Sequence, residues 1–525
     1  MTRVEVAVNM NRLTFLEGKQ SLQMNTSNAV PGIRACISGL LVSLLAACST
    51  VTPTPVGQAE LEAESQRLAE QAYSELPDLN SVLTLPQAQA RALKYNLELR
   101  TRMMEESLAL GQLQVARYDM LPSLIAQAGY NTRNNERVNQ SRDTETGELV
   151  RTRFISQERS HELSQLGLSW NLIDFGVSYY NARQQAERLN IASERRRKML
   201  HQVMQDVHIA YWRVAAAQRL RDDLQIAMRD AEAALTDARA VQRELVDNLG
   251  ENLRYQRELL ENLRLLEAIN SELSTAQVEL ALLVNVPAGY PIIVQDPEVS
   301  TAQYLLEMPI EEVEELALAR NPDVLERYYD SRIARLESRK VLAQMFPNLR
   351  LDYGVNTDDD LYLINNDWTQ ASAQLTYNLL DIFSVPARNR LAKAGVSLAD
   401  QRLMMVQVAT LSQVHLGRLD LAASIQQLAR SSQLMDVDRS YQHLQVNALG
   451  VGSQSRLDMV VGQTSLLLST LRFYQAQAAL ESSRARFLFT LGVEPEIASV
   501  QDTSLDDLAA SIEQFDNAWA TADAR

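Results

Sequence analysis

Cysteine is nearly absent from this chain, with two in 525 residues and both within the first 48. Everything after Cys48 therefore folds without a disulfide and without thiol chemistry. Proline is missing between Pro122 and Pro287 and again between Pro386 and Pro495, and few glycines interrupt either span. Proline removes a backbone donor and glycine costs order, so their scarcity permits long unbroken helices. Aromatics are 6% of residues, and 66 acids against 50 bases leave a net charge of -16. Nucleic-acid binders carry a basic stripe, so this balance argues against nucleic acid as a partner. The chain also lacks a phosphate-cradling glycine loop, cysteine pairs and a nucleophile motif. No residues support an enzyme, and neither a cofactor nor a metal is expected.

What is present begins with a leader. Arg34 precedes a short apolar run, Ile37 to Ala47, that ends at Cys48. This is the build of a secretory signal, too short to span a bilayer as a helix. Leu45-Ala46-Ala47-Cys48 resembles the bacterial lipobox, which implies acylation of Cys48 after cleavage. Ser49 in the next position resembles lipoproteins sorted onward to the outer membrane. The leader is long when counted from Met1 and ordinary from Met24. An ordinary signal with a chance cysteine is the competing reading. Either way the mature chain leaves the cytoplasm, and a diacylated end alone would hold it only reversibly at a membrane.

The rest is one unit written twice. Shifted by 225 positions, Asn96, Pro122 and Gly129 fall on Asn321, Pro347 and Gly354. Shifted by 207, Asn171-Leu172-Ile173-Asp174 falls on Asn378-Leu379-Leu380-Asp381, and Val207-His208 on Val414-His415. Each copy predicts a short helix, two strands and a long helical hairpin. A unit this large is a duplicated half-protein, not a solenoid repeat.

Four runs alternate with period two, the mark of a strand with one apolar and one polar face. Leu124, Ala126, Ala128 and Tyr130 oppose Ile125, Gln127, Gly129 and Asn131. Leu166, Leu168, Trp170 and Leu172 oppose Gln165, Gly167, Ser169 and Asn171. Leu349, Leu351, Tyr353 and Val355 form the third apolar face, and Ala371, Ala373, Leu375 and Tyr377 the fourth. Each run is about ten residues, the length of a tilted membrane-spanning strand. A small sandwich packed on helices is the competing reading. In lipid, every backbone group must be paired, so the sheet has to close on itself. Four strands are too few, because barrels start at about eight. Two copies would give eight strands and three would give twelve. The stretch from Asn131 to Glu162, rich in Asn, Arg, Thr and Glu, reads as a solvated surface loop.

Asp174 to Asn285 and Asp381 to Gly492 each read as two antiparallel helices of about 55 residues, long enough to reach ~80 Å. Leu220, Leu224, Ala227, Ala231, Ala234, Ala238, Val241 and Leu245 step by alternating fours and threes. Leu259, Leu263 and Leu266, and then Leu467, Leu471, Tyr474 and Ala478, do likewise. That is coiled-coil packing, and the many alanines suit close helix approach in a wall.

Lipobox, duplicated units and the Asn-Leu-Ile-Asp-Phe-Gly junction from Asn171 together resemble the TolC-like outer-membrane factor family. The most specific match runs from Val451 to Asp458 (Val-Gly-Ser-Gln-Ser-Arg-Leu-Asp), which looks like the family's Val-Gly-Thr tip motif. The first hairpin departs from it, with Glu244-Leu245 where the second has Val451-Gly452, although Glu251 matches Asp458 in charge. The resemblance implies a mainly α chain with membrane β, and a homotrimer that forms a 12-stranded β-barrel continued by a 12-helix α-barrel. It implies a passive exit duct in a Gram-negative outer membrane, lipid-anchored at Cys48. The duct would be fed by an inner-membrane pump through a periplasmic adaptor docking at Val451, Gly452, Ser453, Leu457 and Asp458. A type I protein-secretion outlet is the alternative within the class. A lipoprotein that merely bridges the periplasm is the alternative outside it.

The expected organisation is a signal peptide (1–47), a linker (48–80), the first repeat (81–286) and an inter-repeat linker (287–307). The second repeat (308–495) and an acidic tail (496–525) complete it. Asp247, Glu251, Asp436 and Asp438 are candidate carboxylates near the hairpin tips, where threefold repetition would focus negative potential and favour cations. Solvated helix faces are the competing reading for each. His208 and His415 are equivalent under the repeat and would form a pseudo-sixfold ring in a trimer, open to a proton or metal response. Inherited packing residues are the simpler reading.

Overall fold

A computed structural model describes residues 55–521, apart from 75, 78, 80, 81, 245–248, 288, 298–302, 451–455 and 498. Cys48 and the leader, Asp247, Val451, Gly452 and Ser453 lie outside the described residues, as does the side chain of Leu457. The chain divides into two units. The smaller comprises Gln127–Gln165, Asn356–Trp368 and the described residues up to Ala63. The larger comprises Glu64–Ala126, Leu166–Val355 and the described residues from Thr369 onward.

The four alternating runs are strands. In chain order, β1 is Ser123–Thr132, β2 Val138–Arg142, β3 Leu149–Ile155, β4 Ser160–Asn171, β5 Asn348–Asp358 and β6 Asp367–Thr376. Strands β1, β4, β5 and β6 form one sheet in that order. The expected solvated loop between β1 and β4 instead holds the β2–β3 hairpin, antiparallel, with Val138 opposite Ile155 and Gln140 opposite Arg153. Its turn is tied by Asp143, whose Oδ1 accepts from the backbone N–H of Glu145 and Thr146 at 2.8 and 3.1 Å. Every residue of both strands is exposed. Apolar and polar residues are mixed on both faces of β3, with Leu149 and Ile155 beside Arg151 and Arg153, so there is no apolar alternation to read.

The helices are α1 Gln58–Tyr73, α2 Leu85–Tyr95, α3 Leu97–Tyr118, α4 Leu172–Glu244, α5 Leu249–Leu283 and α6 Tyr304–Glu307. They continue with α7 Ile310–Arg320, α8 Pro322–Ala343, α9 Asp381–Gly450, α10 Arg456–Thr490 and α11 Leu505–Thr521. The hairpins are not symmetric. Helices α4 and α9 have 73 and 70 residues, about 110 Å at ~1.5 Å per residue, whereas the returning α5 and α10 have 35 each.

The expectation of equal arms fails because the return path is built from two pieces. Asn96 caps the start of α3, its Oδ1 accepting from the N–H of Glu98 and Leu99, and its Nδ2 donates to the Leu283 carbonyl ending α5. Asn321 does the same for α8, and its Nδ2 donates to the Thr490 carbonyl ending α10 at 3.0 Å. One asparagine thus satisfies orphan groups at two helix ends and places a C-terminus against an N-terminus, the favourable order for their dipoles. Both returning helices stop at a left-handed residue, Asn285 (φ 52) or Gly492 (φ 71). There the N–H of Val286 or Val493 donates back to the carbonyl of Ala281 or Leu488. This is the Schellman closure.

Packing of the larger unit follows. Helix α4 packs on α3, α5, α8 and α10, while α9 packs on α8 and α10. The helical layer therefore reads α3–α4–α8–α9 near the sheet and α5–α4–α10–α9 along the hairpins, in register with the strand order. The expected coiled-coil seam is present: Leu220, Leu224, Ala227, Ala231, Ala234 and Ala238 are buried against Leu259, Leu266, Leu467 and Leu471.

A second core joins Leu93, Leu99, Val207, Tyr211 and Leu280 to Leu508 and Ile512 of α11. The segment read as an acidic tail is thus partly a packed helix against α2. Its apolar residues Leu508, Ala509, Ile512 and Phe515 sit at helical spacing among the acids Asp506, Asp507, Glu513 and Asp516. Helix α1 lies within the expected linker and buries no residue. Among the described residues no helix is both long and apolar enough to cross a membrane.

Candidate functional site

The polarity of the sheet is inverted relative to that of a water-soluble sheet. On β4, Leu166, Leu168 and Trp170 are 50%, 41% and 37% exposed, whereas the intervening Gln165, Gly167, Ser169 and Asn171 are half-buried. On β5, Leu351, Tyr353 and Val355 are exposed, while Asp352 is half-buried and Gly354, Asn356 and Asp358 are buried. Every residue of the edge strands β1 and β6 is exposed, so the contrast between faces is carried by the central strands β4 and β5. Apolar side chains outside and polar ones sheltered is the arrangement of a barrel wall with lipid outside and water within.

Strands β1 and β6 are the sheet edges, and each has one unpaired side. Helices α3 and α9 occupy the matching ends of the helical layer, and both carry apolar stripes that nothing among the described residues covers. On α3 the stripe is Leu97, Met104, Leu108, Val115 and Tyr118; on α9 it is Leu391, Leu398, Met405, Val408 and Leu419, resuming at Leu434, Val437 and Leu444. The steps are threes, fours and sevens apart from one of eleven between Val408 and Leu419, an a/d seam without its partner. The two open ends differ from each other, so a second copy joining at either end does so head to tail, an arrangement that makes a closed ring where the rotation between copies permits it. Sequence reading missed the α9 stripe, although its heptad spacing was there to be found.

The junctions from strand to helix are held by asparagine. Asn171 Oδ1 accepts from the N–H of Ile173 and Asp174, and Asn378 Oδ1 from that of Leu380. These are the repeated residues of the junction motif, and their role is to start the long helices.

Of the tip carboxylates, Glu251 and Asp458 are exposed and lie in the first turns of α5 and α10, where the helix N-terminus favours a negative charge. Asp436 is exposed and pairs with Arg439 at 3.4 Å, and Asp438 is half-buried on α9. The two repeat-related histidines occupy unlike surroundings. His208 is 3% exposed, with Nδ1 3.5 Å from Gln89 Nε2 and Nε2 3.7 Å from Glu481. Burial holds its imidazole below the usual range, against the opposing pull of the Glu481 and Asp516 carboxylates. His415 is largely exposed, and its Nε2 is 2.8 Å from Glu314.

Sequence reading also missed two ionic groups, one buried and one half-buried, that fasten the C-terminal end of α10. Arg484 pairs with Glu481 at 2.9 Å and with Asp516 of α11 at 3.2 Å. Arg197 bridges Glu194 at 2.6 Å and Glu494 at 2.7 Å, while His201 meets Glu494 at 2.8 Å and stacks on Phe489. Burial works to raise the Glu494 carboxyl, but hydrogen bonds from His201 and Arg197 hold it below the usual range.

This architecture has solved counterparts. The Campylobacter jejuni CmeC outer membrane channel superposes with a TM-score of 0.60 at 12% identity, covering 84% of this chain and 94% of its own. The open state of the Neisseria gonorrhoeae MtrE outer membrane channel gives 0.59 at 17% identity, over 78% and 88%. The outer-membrane channel OprN gives 0.59 at 15%, over 78% and 89%. The chain has the TolC-like outer-membrane-channel fold. No protein-family model and no curated protein sequence matches it. At these identities the TolC-like likeness is one of fold, carried by the four-strand sheet and the two long hairpins.

Proposed function

We propose that three copies of this TolC-like chain form a passive duct through the outer membrane of a Gram-negative bacterium and serve a tripartite efflux system. The observation that carries this reading is the inverted sheet with two open edges, matched by two uncovered coiled-coil seams at the ends of the helical layer. Edge β6 of one copy joins β1 of the next, and α9 of the same copy lies along α3 and α5 of that neighbour. Two copies would close eight strands, a barrel whose interior side chains fill. Three copies close twelve strands and leave room for water, which suits the polar residues on the sheltered face. The duct does no chemistry. Substrate is delivered by an inner-membrane pump through a periplasmic adaptor, and acylated Cys48 adds a lipid anchor to the barrel's own hold on the bilayer.

The adaptor docks at the second hairpin turn, through Val451, Gly452, Ser453, Leu457 and Asp458. Asp247, Glu251, Asp436 and Asp438 bias the entrance toward cations by threefold repetition of charge. A photo-crosslinking residue in place of Ser453, used in living cells with mass spectrometry of the adduct, tests the docking. Capture of an adaptor is the expected result. Failure to capture one, from protein shown to be acylated and in the outer membrane, would remove this docking site. Ion conductance of the purified protein in a planar bilayer separates the duct from a lipoprotein scaffold, which would be silent.

A further inference from the structure

The smaller unit contains a cluster that a passive duct does not use. His161, near the start of β4, and Asp358 and Asp359, at the end of β5, offer ligand atoms that all lie within 4.8 Å of one another. His161 Nδ1 is 2.7 Å from Asp358 Oδ1, and both residues are buried. Asp359 is exposed, and its Oδ1 accepts from the backbone N–H of Glu162 at 2.5 Å. Asp360, 3% exposed, completes a run of three acids; its Oδ1 accepts from the N–H of Glu158 and Tyr362, both at 3.1 Å.

Two observations point beyond a hydrogen-bonded turn. Among the described residues no lysine or arginine pairs with Asp358, Asp359 or Asp360. Buried carboxylates are ordinarily paired with a cation or bound to a metal, and three in sequence repel one another besides. The fold does not demand them either. In the duplicated half the matching positions are Arg133, Asn134 and Asn135, and the position matching His161 is Trp368. The acids stand in the second repeat and the imidazole in the first, and neither is kept at the equivalent position of the other copy, so the duplicated fold forms without them.

We propose that His161, Asp358 and Asp359 bind one divalent transition-metal ion per chain. One imidazole nitrogen with two carboxylate oxygens suits zinc and its borderline neighbours, and three protein ligands leave a position for water. The ion adds positive charge beside the acids, which have no lysine or arginine partner among the described residues, and clamps β4 to β5, the one strand pair in the sheet that joins the first repeat to the second. His161 exchanges its hydrogen bond to Asp358, or the one from Gln157 to its Nε2, for the metal.

The test uses the full-length protein in detergent, stripped with chelator, with zinc alone as the probe. Equilibrium dialysis is expected to give one zinc per chain at saturation. X-ray absorption at the zinc edge should show one imidazole nitrogen beside oxygen ligands. The variants D359N and H161Q should each weaken binding at least about tenfold. D359N keeps an acceptor for the Glu162 N–H at an exposed position, so it decides the matter if H161Q does not assemble. Zinc binding unchanged in D359N, a metal shell without imidazole, or calcium competing as well as zinc would each overturn the assignment.

Discussion

Gly492 ends α10 with φ at 71°, and a methyl group at its Cα would sit 2.3 Å from the carbonyl carbon and oxygen of Arg320 and 2.7 Å from Asn321 N. All three are backbone atoms at the splice between α10 and α8, so none moves cheaply. In G492A the left-handed backbone costs roughly 1–2 kcal/mol, and overpacking adds about 1–3 kcal/mol. The sum, ~2–5 kcal/mol, is a large share of a typical folding free energy. The first repeat supplies the control. Asn285 has the same handedness, φ 52, and its Nδ2 donates to the Ala72 carbonyl at 3.2 Å. N285G trades that hydrogen bond for an easier backbone and should change stability by less than about 1 kcal/mol. Urea unfolding of the purified protein, followed by helical circular dichroism, should show G492A shifted to lower denaturant and N285G close to the parent. An unshifted G492A, or an N285G shifted as far, would refute the splice as described.

Three further outcomes are expected. The folded-state pKa of His208 is depressed by burial, so its contribution to stability is present above the ordinary histidine value of about 6.5 and is lost as pH falls through the folded value. H208Q should therefore flatten the pH dependence of the unfolding midpoint below about pH 6.5, read by the same dichroism. L168R, on the exposed face of β4, should cost up to about 2–4 kcal/mol of membrane insertion, whereas S169R on the sheltered face, near Asp352, should be tolerated; the folded fraction in lipid vesicles reads both. L398D, in the uncovered α9 stripe, should lower the oligomeric state in native mass spectrometry while leaving the helical signal intact.

Sequence legibility followed burial. Strands β1, β4, β5 and β6 were readable because their two faces differ chemically, and the coiled-coil seam because Leu220, Leu224 and the alanines after them are buried in heptad order. The duplication pairs Asn96 with Asn321 and Asn171 with Asn378, the asparagines that accept backbone N–H groups where helices begin. The hidden features share a cause. Hairpin β2–β3 mixes polar and apolar residues on the same face and so leaves no period in the sequence. The splice between α5 and α3 joins segments about 190 positions apart in the chain, which no local pattern marks. Helix α11 disguises its apolar stripe in an acidic stretch. The His161 cluster draws on two strands, and only its acidic half is contiguous in sequence.

The most direct test of the barrel reading is an environment scan of β4. A single environment-sensitive fluorophore is placed in turn at positions 163 to 170 of the protein reconstituted in lipid vesicles. Period-two alternation is the predicted result, with lipid-like emission at Leu166, Leu168 and Trp170 and water-like emission at Gln165, Gly167 and Ser169. Uniformly aqueous emission along the strand, or alternation in the opposite phase, would contradict a lipid-facing wall and with it the duct.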